Sequence, residues 1–251
     1  MYVKVMEGLV LASKNIKINN QSYNIVYDMQ NMSSKKTIVF LHGWGSNKEV
    51  MKQSFQNELK KYKHIYIDMP GFGKSINEDY ILTTKEYANI INEFLNTLNI
   101  SADIIAGHSF GGKVATLLNP PLLVLLSSAG IIEDKSAKTL LTIRMAKIFN
   151  KFGLGKVTKM LRSKDVNMMS QNMYETFKNV VDEDFSDVFK NYTRKALLFW
   201  GETDTATTLN SGKIMHTLIN DSKFYSYPSD HYFFMKYHKD VSNEILLNTS
   251  N

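Results

Sequence analysis

The chain has 251 residues, 43% of them hydrophobic, which is enough for one large α/β domain or for one domain with a modest insertion. Its 30 basic and 24 acidic side chains give a net charge of +6, which is too mild to indicate a nucleic-acid partner. It contains no cysteine, which excludes a disulfide framework, a thiolate zinc site and a cysteine nucleophile.

The N-terminal segment bears on localisation. Its apolar stretch from Gly8 to Ala12 is short, follows Glu7 and lacks the proper basic n-region of a secretory signal. No apolar run elsewhere approaches the length of a membrane span. We therefore expect a cytoplasmic protein without a membrane span, and the oligomeric state stays open.

The order of the predicted elements indicates the fold class. Alternating apolar and polar residues predict a β-hairpin over Asn15–Asp28 that turns around Asn19, Asn20 and Gln21. Helical spacing of apolar residues then predicts helices at Lys48–Lys61 and Thr84–Leu98. Short β-rich runs alternate with these segments, at Thr37–Leu41, His64–Asp68, Asp103–Ala106, Leu122–Leu126, Ala196–Trp200 and Lys223–Tyr227. This alternation predicts an α/β fold with a mostly parallel sheet and helices on both faces.

One interval breaks the alternation. Between Ser127 and Ala196 lie about sixty residues of helical pattern, which is too long for an ordinary crossover loop. We interpret residues 130–194 as a helical cap inserted into a core domain formed by residues 1–129 and 195–251.

A G-x-S-x-G pattern places Ser109 between Gly107 and Gly111. The β-rich run Asp103–Ala106 leads into it and the amphipathic stretch Lys113–Leu118 follows it. In this strand–turn–helix context the glycines permit a strained turn that exposes the serine at a helix N-terminus. The pattern therefore predicts Ser109 as a nucleophile.

A serine nucleophile needs donors that stabilise the oxyanion formed in the reaction. A glycine-rich turn, residues 41–45, directly follows the predicted strand Thr37–Leu41 and can aim a backbone N–H at a substrate carbonyl. We predict the backbone N–H groups of Trp44 and Phe110 as the two oxyanion donors.

The nucleophile also needs a general base and a carboxylate that orients it. Among the six histidines, only His231 is predicted on a loop after the last strand. The others are His42, His64, His108, His216 and His238. Asp204 follows the Ala196–Trp200 run and gives the chain order Ser, Asp, His. We predict His231 as the base and Asp204 as the acid, with Glu202 and Asp230 as alternatives.

These motifs together resemble those of the α/β-hydrolase superfamily, over essentially the whole chain. The segment Asp68–Ser75 is similar to the family's D-x-P-G-x-G-x-S loop, and Gly201–Asp204 is similar to its G-x-x-D acid loop. The sequence departs from the family at Asp230, where glycine is usual, and in the short segment Lys113–Pro121. The resemblance implies a capped serine hydrolase similar to carboxylesterases and meta-cleavage-product hydrolases.

The predicted reaction is cleavage of a carboxylic ester, or of a similar acyl compound, through an acyl-enzyme on Ser109. Hydrolytic carbon–carbon cleavage of a 2-hydroxy-6-oxo-dienoate is the alternative. The glycine-rich turn also resembles that of pimeloyl-carrier-protein methyl ester esterases. Relatives similar to haloalkane dehalogenases and epoxide hydrolases carry aspartate at the nucleophile, which disfavours their reactions. A catalytically silent, ligand-binding member of the fold is the non-enzyme alternative.

We expect no cofactor and no metal, because no metal-ligand spacing is present. The Gly73–Ser75 tripeptide mimics the end of a P-loop, but Asp68 stands where the leading glycine would be needed. Every ionised side chain from Lys135 to Lys164 is basic. We interpret this run as a surface that attracts an anionic or carrier-bound small-molecule substrate, with a merely solvated face as the alternative.

Overall fold

The computed structural model describes residues 3–6, 9–132 and 169–249. Within these ranges the strands are β1 Val3–Met6, β2 Leu9–Ile18, β3 Gln21–Gln30, β4 Lys36–Leu41, β5 Tyr62–Ile67, β6 Ile104–His108, β7 Leu122–Leu126, β8 Lys195–Gly201 and β9 Ser222–Tyr227. The helices are α1 Lys48–Phe55, α2 Thr84–Thr97, α3 Phe110–Leu117, α4 Gln171–Val181, α5 Ser186–Lys190, α6 Leu209–Leu218 and α7 His238–Leu247, with a 3₁₀ turn at Phe233–Met235.

The strands form one sheet in the order β1-β2-β3-β5-β4-β6-β7-β8-β9. Strands β4 to β9 run parallel, and β1 to β3 extend the sheet in antiparallel fashion beyond β5. The central strands β6 and β7 are buried throughout, as expected for strands covered on both faces. The predicted α/β fold class with a mostly parallel sheet is confirmed.

The two faces of the sheet have separate apolar cores. One face packs against α2, α3 and α6 through residues such as Phe94, Val114 and Met215. The other packs against α1 and α7 through residues such as Phe55 and Val241. Because neighbouring residues of a strand point to opposite faces, each central strand contributes to both cores.

The predicted hairpin is longer than expected, since β2 and β3 pair from Val10 to Met29. Its two-residue turn consists of Asn19 and Asn20, which have φ angles of 49° and 64°. Asparagine tolerates this left-handed conformation, which explains why the two residues form the turn.

The prediction of one long helix over Lys48–Lys61 was wrong, because α1 ends at Phe55. Leu59 adopts a φ of 47° and accepts a hydrogen bond from the backbone N–H of Tyr62, so the chain turns there into β5. Leu59 is nevertheless buried. Its position fits the spacing of apolar residues in a helix, but the side chain packs into the core from a turn.

The predicted cap lies largely outside the described residues, and its boundaries stay a prediction. Its described end, α4 and α5, is helical. The buried Lys113 of α3 joins this part to the core, because its Nζ donates to the carbonyl of Val180 and lies 3.2 Å from Glu183 Oε2. The backbone N–H of Leu82 also donates to Thr176 Oγ1 at 3.0 Å.

Candidate active site

Apart from Gly107, which lies inside β6, the predicted site residues follow the carboxyl ends of parallel strands. The glycine-rich turn follows β4, Ser109 follows β6, Asp204 follows β8 and His231 follows β9. In an open parallel sheet these ends meet at one edge, which is where ligands bind. The fold therefore gathers residues as distant in the sequence as Trp44 and His231, which are 187 positions apart.

Ser109 is the single residue between β6 and α3, and its backbone is strained. Its φ of 50° and ψ of −116° lie in a region that residues with a side chain rarely adopt. Hydrogen bonds hold this conformation: the Ser109 N–H donates to Leu126 O at 3.1 Å, and its carbonyl accepts from Gly112 N–H at 3.0 Å and Ala129 N–H at 3.1 Å. The side chain stays partly exposed at the N-terminus of α3.

The two predicted glycines allow close packing around Ser109. A Cβ added to Gly107 would lie 2.3 Å from the carbonyl oxygen of Gly111. A Cβ added to Gly111 would lie 2.5 Å from the carbonyl oxygen of His42. A side chain at either position would push α3 away from β6 or from the glycine-rich turn.

His231 and Asp204 form a hydrogen-bonded pair. His231 Nδ1 lies 2.7 Å from Asp204 Oδ2, and the Asp204 carboxylate is inaccessible to solvent. Its other oxygen, Oδ1, accepts from the backbone N–H groups of Ala206 at 2.8 Å and Thr207 at 3.0 Å. Burial alone would raise the pKa of Asp204, but the hydrogen bonds from His231 and Thr207 outweigh it and hold the pKa below its usual value. Asp204 is therefore a carboxylate at neutral pH.

The two alternative acids lie elsewhere. Glu202 is exposed and accepts a hydrogen bond from the hydroxyl of Ser226 at 2.9 Å. Asp230 is also exposed, and its Oδ1 accepts from the backbone N–H of Tyr232 at 3.0 Å. The described contacts of His231 thus include Asp204 and neither alternative.

The glycine-rich turn crosses directly beside the serine, since a Cβ built on Gly43 would lie 3.2 Å from Ser109 Cβ. His42 organises this turn. Its Nε2 accepts from the Met69 N–H at 3.0 Å, so its Nδ1 carries the proton and donates to Gly43 O at 2.8 Å. That carbonyl shares a peptide plane with the Trp44 N–H, so His42 also sets the direction of this predicted oxyanion donor.

Among the described residues, both predicted oxyanion donors have a backbone N–H that is free to donate to a substrate oxygen. Phe110 is the first residue of α3, where a backbone N–H has no acceptor within the helix. The N–H of Trp44 likewise has no acceptor among the described residues. The Trp44 ring packs edge-on against Phe72 at 4.8 Å and Phe110 at 5.5 Å between ring centroids, which holds the turn against α3.

A cavity of about 600 Å³ opens beside Trp44, one of the two predicted donors. Its described lining is Trp44, Gly45, Gly71, Phe72, Met169, Ser170, Met173 and Tyr232. Its size is typical of small-molecule sites, and its described side chains are uncharged.

Sequence reasoning missed two residues of the site. The first is Thr207, whose Oγ1 lies 3.0 Å from Asp204 Oδ2 and 3.0 Å from Ser127 O. These contacts hold the Asp204 carboxylate in position. The second is His108, which the sequence does not single out, and its ring lies 4.5 Å from that of His231 between centroids. A short polar residue three positions after the acid could have indicated Thr207; no sequence signal indicated the His108 contact.

The remaining histidines form contacts outside this site. His64 is buried between Tyr66 Oη at 2.8 Å and Leu59 O at 3.1 Å. His216 contacts Ser222, and His238 lies 3.1 Å from Glu58. In the described ranges no three side chains of the metal-ligating types come together.

Buried histidines should make the fold less stable at acid pH. Burial lowers the pKa of His42 to about 4, and it also lowers the pKa values of His64 and His108. Below pH 6.5 the unfolded chain takes up protons that the folded chain excludes, so the free energy of unfolding should fall as the pH falls. His42 alone should cost about 2 kcal/mol between pH 7 and pH 5, and the other two act in the same direction. Urea unfolding at pH 7, 6 and 5 measures this, and constant stability would contradict it.

Comparison with known proteins establishes the family. Residues 38–219 match the model of the alpha/beta hydrolase family. The chain belongs to this family.

No helix within the described ranges is both long and apolar enough to cross a membrane.

Individual relatives of this α/β hydrolase agree with the assignment. It is 26% identical over 239 residues to the uncharacterized hydrolase YugF of Bacillus subtilis, covering 81% of this chain and 85% of that protein. The solved structure of the esterase EaEST from Exiguobacterium antarcticum superposes with a TM-score of 0.74 at 20% identity, over 96% of this chain and 100% of that one. A shorter match, 38% identical over 88 residues, is to a pimeloyl-[acyl-carrier protein] methyl ester esterase of Shewanella woodyi, over 35% of this chain and 32% of that protein.

Proposed function

We propose that this α/β hydrolase is a serine esterase that cleaves a carboxylic ester through an acyl-enzyme on Ser109. The observation that carries the proposal is the pairing of His231 with a buried carboxylate, Asp204, at the sheet edge where the strained Ser109 is partly exposed. A hydroxyl is a weak nucleophile until a positioned base takes its proton. The base in turn needs a partner that fixes its tautomer, and Asp204 supplies it.

In the proposed reaction Asp204 keeps the proton of His231 on Nδ1, which leaves Nε2 free to accept the Ser109 proton. Ser109 Oγ then attacks the ester carbonyl carbon, and the carbonyl oxygen gains negative charge. The N–H groups of Trp44 and Phe110 donate to this oxyanion, and the N-terminal end of α3 adds a favourable dipole. Collapse of the intermediate expels the alcohol, which takes the proton from His231.

The second half of the reaction uses the same groups. His231 removes a proton from water, the resulting hydroxide attacks the acyl carbon, and Ser109 leaves with the proton returned by His231. Asp204 stays ionised throughout and stabilises the imidazolium formed in each half, and its lowered pKa is consistent with that role. Water, the ester and this chain's own residues suffice for the sequence of steps.

The cavity beside Trp44 supports an uncharged, partly apolar group in the substrate. Aromatic rings and the thioethers of Met169 and Met173 form much of its described lining, and methionine adapts its shape to different hydrocarbon groups.

A panel of p-nitrophenyl esters of increasing acyl length tests the proposal against a 2-hydroxy-6-oxo-dienoate. Ester turnover with a chain-length optimum supports it; cleavage of the dienoate alone favours carbon–carbon hydrolysis. Absence of turnover and of fluorophosphonate labelling favours a silent member of the fold.

We further propose an anionic or carrier-bound substrate, from the basic run Lys135–Lys164, which lies outside the described residues. The match to the carrier-protein methyl ester esterase, over about a third of each chain, supports testing such substrates.

We expect kcat/KM for a carboxylate-bearing ester to fall by about 3- to 10-fold between low salt and 1 M salt, because screening shortens the range of the positive field. The matched neutral ester should change little. Lys147→Glu combined with Lys151→Glu should weaken the salt dependence, whereas Lys17→Glu on the exposed hairpin should not. Parallel salt responses of the two esters would favour a solvated surface without a partner.

A further inference from the structure

His108 is a buried histidine that the proposed reaction does not use. It is the last residue of β6, directly before Ser109, and its side chain is almost fully enclosed. Its ring lies 4.5 Å from the His231 ring, 4.9 Å from the Tyr232 ring and 4.9 Å from the Phe234 ring, between centroids. It thus occupies the space between the nucleophile strand and the loop that carries His231.

One polar contact orients this ring. His108 Nε2 lies 3.2 Å from the backbone oxygen of His231. A carbonyl oxygen only accepts, so Nε2 carries the proton and donates it. His108 is covalently joined to Ser109, so this bond connects the backbone of the predicted base to the backbone of the predicted nucleophile.

The same geometry keeps His108 neutral. Its Nδ1 is buried without a hydrogen-bond partner, and a Cβ built on Gly43 would lie 2.9 Å from it. A second proton on Nδ1 would therefore be buried without an acceptor, which is costly. Burial and the neighbouring His231 accordingly hold the pKa of His108 well below its usual range. A neutral neighbour lets His231 become an imidazolium without repulsion from a second cation.

We propose that His108 is a positioning residue, whose Nε2–H sets the separation of Ser109 and His231 by holding the His231 carbonyl. This inference rests on the proposed function. A displacement of about 1 Å between reacting groups can cost about 100-fold in rate. The cost should appear in kcat and leave KM unchanged, because His108 does not line the described cavity.

Substitutions that separate the hydrogen bond from the bulk of the ring test this. In glutamine the amide nitrogen is as many bonds from Cα as Nε2 of histidine, whereas in asparagine it is one bond nearer. His108→Gln should keep kcat within about 3-fold of wild type, and His108→Asn should lower it by about 10- to 100-fold. His108→Phe keeps an aromatic ring without a donor and should resemble the asparagine variant. Phe234→Leu, which alters packing on the same ring, should leave kcat within about 3-fold.

Three outcomes would overturn the inference: equal kcat values for the glutamine and asparagine variants, wild-type kcat in the phenylalanine variant, or an equal loss in Phe234→Leu. Melting temperatures are measured for every variant, and if the asparagine variant does not fold, the glutamine–phenylalanine comparison carries the test.

A second readout does not depend on turnover. The proton on His231 Nδ1, which is hydrogen-bonded to Asp204, should give a downfield NMR signal in the wild type. This signal should be retained in His108→Gln and shifted in His108→Phe. An identical signal in both variants would overturn the inference even if the esterase proposal holds. Retained turnover in Ser109→Ala would overturn the esterase proposal and leave this signal as the test of His108.

Discussion

Ser109→Ala is expected to abolish ester hydrolysis and to leave the fold intact. Loss of the nucleophile of a serine hydrolase lowers kcat by roughly 10⁶-fold, and the oxyanion donors alone then provide what catalysis remains. The fold should survive because the described hydrogen bonds of Ser109 use its backbone N–H and carbonyl. Alanine also meets the same backbone strain at a φ of 50° as serine does.

Two measurements check this expectation. Turnover of a p-nitrophenyl ester is compared between wild type and Ser109→Ala, together with thermal unfolding of both. A fluorophosphonate should label wild type once, at Ser109. Ser170→Ala is the matched control, because Ser170 lines the cavity beside Trp44 and should be neither labelled nor required. Labelling at Ser170, or full activity of Ser109→Ala, would refute the assignment of the nucleophile.

Asp204→Asn is expected to lower kcat by about 10⁴-fold at unchanged stability of the overall fold. The backbone N–H groups of Ala206 and Thr207 donate to Oδ1, so the oxygen of asparagine should take that place. The amide NH₂ then faces His231 Nδ1 and donates to it. His231 must accept on Nδ1 and carry its proton on Nε2, where it can no longer take the proton of Ser109.

The alternative acids supply matched controls for this prediction. Glu202→Gln and Asp230→Asn each remove one carboxylate near the same loops, but these carboxylates are exposed and neither has a described contact with His231. Both variants should retain kcat within about 3-fold of wild type, as expected for exposed positions. If one of these variants loses most of its kcat while Asp204→Asn keeps a nearly wild-type kcat, Asp204 is not the acid.

Local sequence patterns determined the fold class and most element positions of this protein. Largely apolar runs of four or five residues predicted the central parallel strands, because strands buried on both faces carry few polar residues. Glycines around Ser109 and asparagines at residues 19 and 20 predicted two of the turns where the backbone adopts positive φ. The end of α1 could not be predicted, because the buried Leu59 has the same spacing whether it belongs to a helix or to a turn.

Only the tertiary structure decided which side chains meet. Three carboxylates follow strand ends near His231, and the sequence alone left Glu202 and Asp230 as alternatives to Asp204. The packing of β8 beside β9 places Asp204 Oδ2 2.7 Å from His231 Nδ1. It leaves the side chains of the other two acids exposed to solvent. The contact of His108 with His231 spans 123 positions and depends on how one strand end faces a loop after another strand. Periodicity reports which face of an element is buried, whereas such distances depend on how the elements pack, which no local pattern encodes.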